Sequence, residues 1–334
     1  MDLIVTIDTE ADNQWKRGVP LRCENVGYWQ PFQRLFAAHD VVPTYLITSE
    51  MAEEERAAQL LRAWVAEGQA EVGAHLHSWT TPPYHDAHGF RFNDETHLYP
   101  SELPESLFRA KLDTLTAQIV ENVGVRPLSY RAGRFGISAA NARIVRELGY
   151  VVDSSVTPLT SWHDESGTIG GPGGPDFSSH LGAPFLIAGS GEPGLLELPV
   201  TVEITNRLVR RCPTLTAAYL SKPARAARKI YHRGQGAPQP QWLRPRPKMR
   251  VSDLGLVWRA AEDRGVPAAV MMFHSSELMP GGSPYRPTRR SITSLYATLD
   301  EFFRFVAAAG GRPASLTAAA TRVLADPRLR RREL

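Results

Sequence analysis

Short runs of β-branched and aliphatic residues alternate along the chain with segments whose apolar positions recur every three to four residues. The runs predict strands at Leu3–Ile7 (LIVTI), Pro43–Thr48, Ala70–Ala74, Leu128–Arg131, Tyr150–Asp153, Leu195–Val200 and Ala268–Phe273, with a short last one near Pro313–Leu316. The periodic segments predict helices at Gln33–His39, Glu53–Glu67, Glu105–Val123, Ser138–Leu148, Ser252–Arg264 and Ile292–Ala307. In Glu105–Val123 the apolar residues Phe108, Leu112, Leu115 and Ile119 follow spacings of four, three and four, which places them on one face. Alternation of this kind, sustained along the chain, implies a parallel sheet. So many units favour a closed α/β barrel over an open doubly wound sheet.

Two stretches break the rhythm. Residues 163–193 are rich in Gly, Pro and Ser and read as a long loop. Between Arg207 and Arg250 there are twelve Lys or Arg and no Asp or Glu, which leaves 26 basic against 35 acidic residues elsewhere. The net charge of +3 therefore hides a basic insertion, at about 204–250, on an acidic body. The expected organisation is one barrel domain over 1–326 carrying that insertion, with a basic tail at 327–334. Within 214–233 an amphipathic basic segment is expected, with Pro223 starting or interrupting a helix. Such a segment suits an anionic membrane surface, or the phosphates of a lipid- or nucleotide-linked sugar, or simple packing on the acidic body. It matches no nucleic-acid module, so a nucleic-acid partner is not expected. Cys23 and Cys212 form no metal-spacing pattern or disulfide framework and read as reduced thiols. The opening MDLIVTIDTE has too short an apolar run for a signal peptide, and no stretch reaches the length of a membrane span. A cytoplasmic protein is expected, with peripheral contact to the inner membrane face through 207–250 left open.

Reactive residues gather where the strands end. The first strand runs into Asp8 and Glu10, the third into His75 and His77, the fourth into Arg131, the fifth into Asp153, and AAVMMF into His274. In a βα barrel those ends share one face, the face that carries chemistry. Along an extended chain residues i and i+2 point the same way, so Asp8 can converge with Glu10 and His75 with His77. Two imidazoles and a carboxylate form a set suited to a divalent metal with an open position; zinc is the first expectation. One remaining carboxylate can act as general base, His274 as general acid, and Arg131 can orient a carboxylate through paired hydrogen bonds. This set suits hydrolysis of an amide or ester. There is no G-x-S-x-G elbow and no P-loop.

In this order the motifs resemble those of the polysaccharide deacetylase (NodB homology) superfamily, and within it the divergent WalW-type branch. TIDTE, EVGAHLHSW, YRAGRFG, YVVDSSV and VMMFHSSEL resemble its five motifs and span residues 4 to about 278. The resemblance implies a distorted (β/α)7 barrel and metal-dependent removal of an N-acetyl or related acyl group from an amino sugar or glycan precursor. It implies Asp8 as base, Arg131 as its partner, Asp153 in the fourth motif and His274 as acid. Two positions depart from the pattern. Thr9 stands where the family has its metal-binding aspartate, and Trp79 stands where it has its second histidine. Glu10 and His77 are expected to substitute, giving Glu10, His75 and His77 as ligands; the converse assignment, Asp8 as ligand and Glu10 as base, stays open. His85 and His88 could join the site from the following loop. Trp79 and Phe135 are expected to face substrate, because aromatic faces stack on sugar rings. The rival functions are hydrolysis of a non-glycan amide on the same barrel, and non-catalytic carbohydrate binding.

Overall fold

The computed structural model describes residues 1–334 apart from 16–19, 86–88, 90–96, 166, 168–172, 193 and 222–239. His88, Pro223 and most of the amphipathic basic segment lie outside the described residues. The strands are β1 (Asp2–Thr9), β2 (Thr44–Ile47), β3 (Glu71–Leu76), β4 (Ser129–Ala132), β5 (Val152–Asp153), β6 (Phe185–Ile187), β7 (Leu196–Glu197), β8 (Val202–Glu203), β9 (Gln241–Trp242), β10 (Ala268–His274), β11 (Arg312–Ala314) and β12 (Arg331–Arg332). Seven of them run parallel in the order β10-β1-β2-β3-β4-β5-β7, and the sheet curls into a distorted (β/α) barrel. Between β7 and β10 irregular chain bridges the gap. Thr201 N–H donates to Val270 O at 3.0 Å, Leu243 N–H to Thr201 O at 2.8 Å and Met272 N–H to Leu243 O at 3.3 Å. The outcome is a curled, barrel-type sheet whose ends β7 and β10 are joined by this irregular chain rather than by strand pairing, and not an open doubly wound sheet.

The barrel interior changes character along its axis. Alternate residues of β1 face opposite ways. Leu3, Val5 and Ile7 pack outward into the large core shared with the surrounding helices, whereas Ile4 joins Val152, Leu196, Val270 and the helix Leu316–Leu324 in a second, smaller cluster. Ile4, Thr6 and Asp8 therefore climb one face, from an apolar floor to a buried polar top. The helix Glu105–Val123 buries Phe108, Leu112, Leu115 and Ile119, as its spacing predicts, and stops at Gly124 with φ 83°, in the left-handed region that glycine tolerates.

Part of the stretch expected to be a loop is strand. β6 pairs antiparallel with β7, and β12 runs beside β6, so residues 331–332 of the basic tail join the sheet edge. Three apolar residues, two of them buried, in a Gly- and Pro-rich context carry too short a signal to register as a strand. The descriptions of β5 and β7 also shrink to two residues each.

Gly73 sits on β3 between β2 and β4, directly before the histidine pair. A Cβ there would lie 2.7 Å from Leu46 Cδ2 and 2.8 Å from the Ser129 carbonyl oxygen. Backbone cannot yield cheaply, so Gly73→Ala is expected to destabilise the barrel by about 1–3 kcal/mol, read by equilibrium chemical denaturation.

Candidate metal centre and active site

The C-terminal ends of β1, β3, β4 and β10 bring six of the expected residues together: Asp8, Glu10, His75, His77, Arg131 and His274. β1 and β10 run in register, so that Asp8 lies opposite His274, and β3 sets His75 opposite Arg131 on β4. Ligand atoms of Glu10, His75 and His77 all lie within 4.8 Å of one another, and all three residues are buried. His77 Nε2 is 3.1 Å from His75 Nε2 and 3.2 Å from Glu10 Oε2. The His75 ring is oriented from behind: its Nδ1–H donates to the Arg131 carbonyl at 3.0 Å, which leaves the Nε2 lone pair facing the group. His77 Nδ1 is buried without a partner among the described residues, and Trp79 lies along the His77 ring at 4.4 Å.

These residues fit a divalent ion. Burial pushes both imidazoles toward the neutral, ligating form, His77 well below its usual range and with the His75 and His274 charges adding to the effect. Burial, followed by the negative charges of Asp8, Glu50 and Glu277, pushes the Glu10 carboxyl well above the usual carboxylate range. A divalent cation bound there would stabilise the crowded buried carboxylate and take the lone pairs of the two neutral imidazoles.

Asp8 stands apart from this trio. Its Oδ1 accepts from Arg131 Nη1 at 2.5 Å in a fully buried ion pair. Burial opposes its ionisation, but Arg131, with His75 and His274, more than compensates and holds Asp8 below the usual range. Arg131 is itself tied on every side: Nη1 donates to Thr6 Oγ1 at 3.0 Å, Nε to Ser154 O at 2.7 Å and Nη2 to Ser154 Oγ at 2.9 Å. Asp153 lies beneath this arrangement. It accepts from Ser155 Oγ at 2.6 Å, and Ser155 Oγ in turn accepts from Ala132 N–H at 2.8 Å. Burial raises Asp153 and, more strongly, its neighbour Glu197, with the charge of Asp153 adding to the effect on Glu197.

On the opposite side His274 Nε2 approaches Glu10 Oε1 at 3.7 Å. His274 Nδ1 lies 3.2 Å from Glu277 Oε1 and 3.1 Å from Arg244 Nη2, and Arg244 donates to the same Glu277 oxygen at 2.6 Å. Trp15 and Tyr285 wall this corner, Trp15 edge-on to His274 at 4.9 Å. Phe135 lies on the β4 side, stacked on Trp162 at 5.5 Å and against Trp242 at 5.8 Å. Arg134 and Phe135 both hold positive φ, 51° and 61°, and Gly133 passes so close to His77 that a Cβ would sit 2.6 Å from the Leu76 carbonyl. His85 is exposed and outside the trio.

Sequence reasoning missed Arg244, Glu277, Glu197 and Trp242. Glu277 follows His274 by three residues in HSSEL and could have been noticed as one turn away. Arg244 and Trp242 sit in the basic stretch, where the charge excess masked a Leu243–Arg244 step that is buried against β10.

No family model matches the chain, and no curated protein matches it. Solved structures do. A candidate polysaccharide deacetylase from Mycobacterium smegmatis is 18% identical, with a TM-score of 0.52 over 93% of this chain and 80% of that one. A candidate glycoside hydrolase/deacetylase from Parabacteroides distasonis is 15% identical, with a TM-score of 0.55 over 96% and 71%. A 4-alpha-glucanotransferase from Thermococcus litoralis is 11% identical, with a TM-score of 0.55; this chain spans 99% of its own length but 41% of that enzyme. At these identities the likeness shows the fold, a NodB-type (β/α) barrel.

Glu277 offers a test of the electrostatics. Burial opposes its ionisation, yet Arg244 and then His274 bring its pKa from 4.5 down to about 2. Because the folded value is the lower one, its contribution is present above pH 4.5 and is lost as pH falls toward 2. Denaturation across that window is expected to show Glu277→Gln losing about one proton's worth of pH slope, about 3 kcal/mol in all.

Proposed function

We propose that this chain is a metal-dependent carbohydrate deacetylase of the NodB-homology superfamily, in its WalW-type branch. It would hydrolyse an N-acetyl or related acyl group on an amino sugar or glycan precursor. The observation that carries this reading is the convergence, in one barrel mouth, of the Glu10–His75–His77 trio with a buried Asp8–Arg131 pair on one side and His274 on the other. The names of the fold neighbours support it. The donor set, two nitrogens and one carboxylate oxygen, favours zinc.

Glu10, His75 and His77 would hold the ion, which when bound polarises the acyl carbonyl and makes a water more acidic. Asp8, kept ionised and fixed in direction by Arg131, accepts a proton from the attacking water. His274, its Nδ1 turned to Glu277, would deliver a proton from Nε2 to the departing amine nitrogen. The carbon–nitrogen bond breaks, and the products are a free amine and acetate. Asp153 acts at one remove: with Ser155 and Glu197 it braces the β4–β5 edge that carries Arg131. Trp79 and Phe135 would contact the sugar, Trp79 beside the ligand His77 and Phe135 at the rim. A lipid- or nucleotide-linked substrate would bring its phosphates toward the basic stretch.

The test separates base from ligand. Asp8→Asn is expected to keep metal affinity and lower kcat for acetate release by about 10³-fold or more. Glu10→Ala is expected to lose metal affinity by at least about tenfold. Interchange of the two outcomes would assign Glu10 as base. Absence of acetate release from every N-acetylated saccharide tried, with metal bound, would sink the deacetylase reading.

A further inference from the structure

The segment Trp242–Pro247 (WLRPRP) is locked at the rim of the site. Leu243 is bonded through its backbone to Thr201 and to Met272 of β10. Arg244 N–H donates to Trp242 O and Arg246 N–H to Arg244 O, both at 2.8 Å, which are consecutive three-residue turns. The Pro245 carbonyl accepts from the buried Arg286, and the proline rings at 245 and 247 fix the backbone on either side of Arg246. The two guanidiniums carried by this segment differ in one respect. Arg244 is consumed by Glu277 and His274. Arg246, exposed at the rim, lies over the Trp242 ring at 5.6 Å and has no hydrogen-bond or ion-pair partner for its side chain among the described residues. Partial burial and then the Arg244 charge disfavour its cation, and the nearby Tyr285 and Glu277 partly offset them. Trp242 is half-buried and shares an aromatic wall with Phe135 and Trp162. An aromatic cluster of Phe135, Trp162 and Trp242, with an exposed guanidinium lying over one of its rings and no side-chain partner of its own, is an arrangement that can hold a sugar ring carrying an oxyanion.

We propose that Trp242 and Arg246 form a subsite for an acidic saccharide unit, the ring lying against the Trp242–Phe135–Trp162 wall and its carboxylate or phosphate paired with Arg246. This deepens the deacetylase reading, resting on it for the reacting sugar next door. The substrate class becomes an anionic glycan or sugar phosphate rather than a neutral one. Arg244 links the subsite to the reaction centre, since it touches His274 while sitting two residues from both Trp242 and Arg246. Fixation of the segment before ligand arrives removes much of the ordering cost of binding.

The test is a binding measurement on the intact chain, which needs neither metal nor turnover. Methyl glucuronide, glucose 1-phosphate and neutral methyl glucoside are titrated by calorimetry at about 20 mM salt, where exposed charges are little screened. At least one charged probe is expected to bind about tenfold more tightly than methyl glucoside, and which one identifies the anion as carboxylate or phosphate. The advantage should shrink below about threefold in Arg246→Gln with neutral binding unchanged, survive in part in Arg246→Lys, and fade at about 500 mM salt. Trp242→Ala should weaken charged and neutral probes alike. Equal affinity for charged and neutral probes, no binding of either charged probe, or an advantage untouched in Arg246→Gln would overturn the proposal. Loss of the anion preference with acetate release intact would strike this subsite alone. Loss of acetate release with the preference intact would strike only the deacetylase reading.

Discussion

One buried guanidinium organises this site. The Arg131 side chain spans from β4 to Thr6 and Asp8 on β1 and to Ser154 after β5, while its own carbonyl accepts the Nδ1–H of His75 on β3. A single residue thereby aims both the carboxylate proposed as base and the first imidazole of the trio. The pair costs desolvation, and the four side-chain donations offset it. Removal of the guanidinium would leave Asp8 buried and uncompensated, a change of the kind that costs about 3–5 kcal/mol. Ser154 gives the arginine both its carbonyl and its hydroxyl, and the Ser155 hydroxyl joins Ala132 N–H to Asp153 beside it.

Two carboxylates two residues apart are driven in opposite directions. Asp8 meets a cation and is held low despite its burial; Glu10 is pushed high by burial and then by Asp8, Glu50 and Glu277. This divergence gives physical content to a question the sequence left open. The carboxylate already neutralised by Arg131 has little to gain from a second cation, whereas the one facing His75 and His77 has much. Across the mouth, Glu277 is held low by Arg244 and His274 against its burial, so His274, like His75, has an orienting partner.

The fold and the inner ring of the site were legible because both depend on short-range periodicity. Alternation along strands put Asp8 with Glu10 and His75 with His77, and strand ends in a βα barrel share a face. The same rule of strand ends placed Arg131 and His274 with them. What was hidden depends on contacts between distant segments. Arg244 reads as one cation among twelve, and only the pairing of Leu243 with β10 reveals that it is buried beside His274. Glu197 ends a two-residue strand, and its partnership with Asp153 comes from strand order, not from spacing. β6 was lost in a Gly- and Pro-rich stretch because three residues carry no period.

The central claim is that Glu10, His75 and His77 bind one catalytic cation. It is tested most directly by elemental analysis of the purified chain beside a His75→Ala/His77→Ala double variant, each stripped and then reloaded with zinc. The account expects about one ion per chain in the wild type and loss of that ion in the double variant, with the fold retained. A wild-type chain that holds no zinc, cobalt or nickel above the level of the double variant would contradict it.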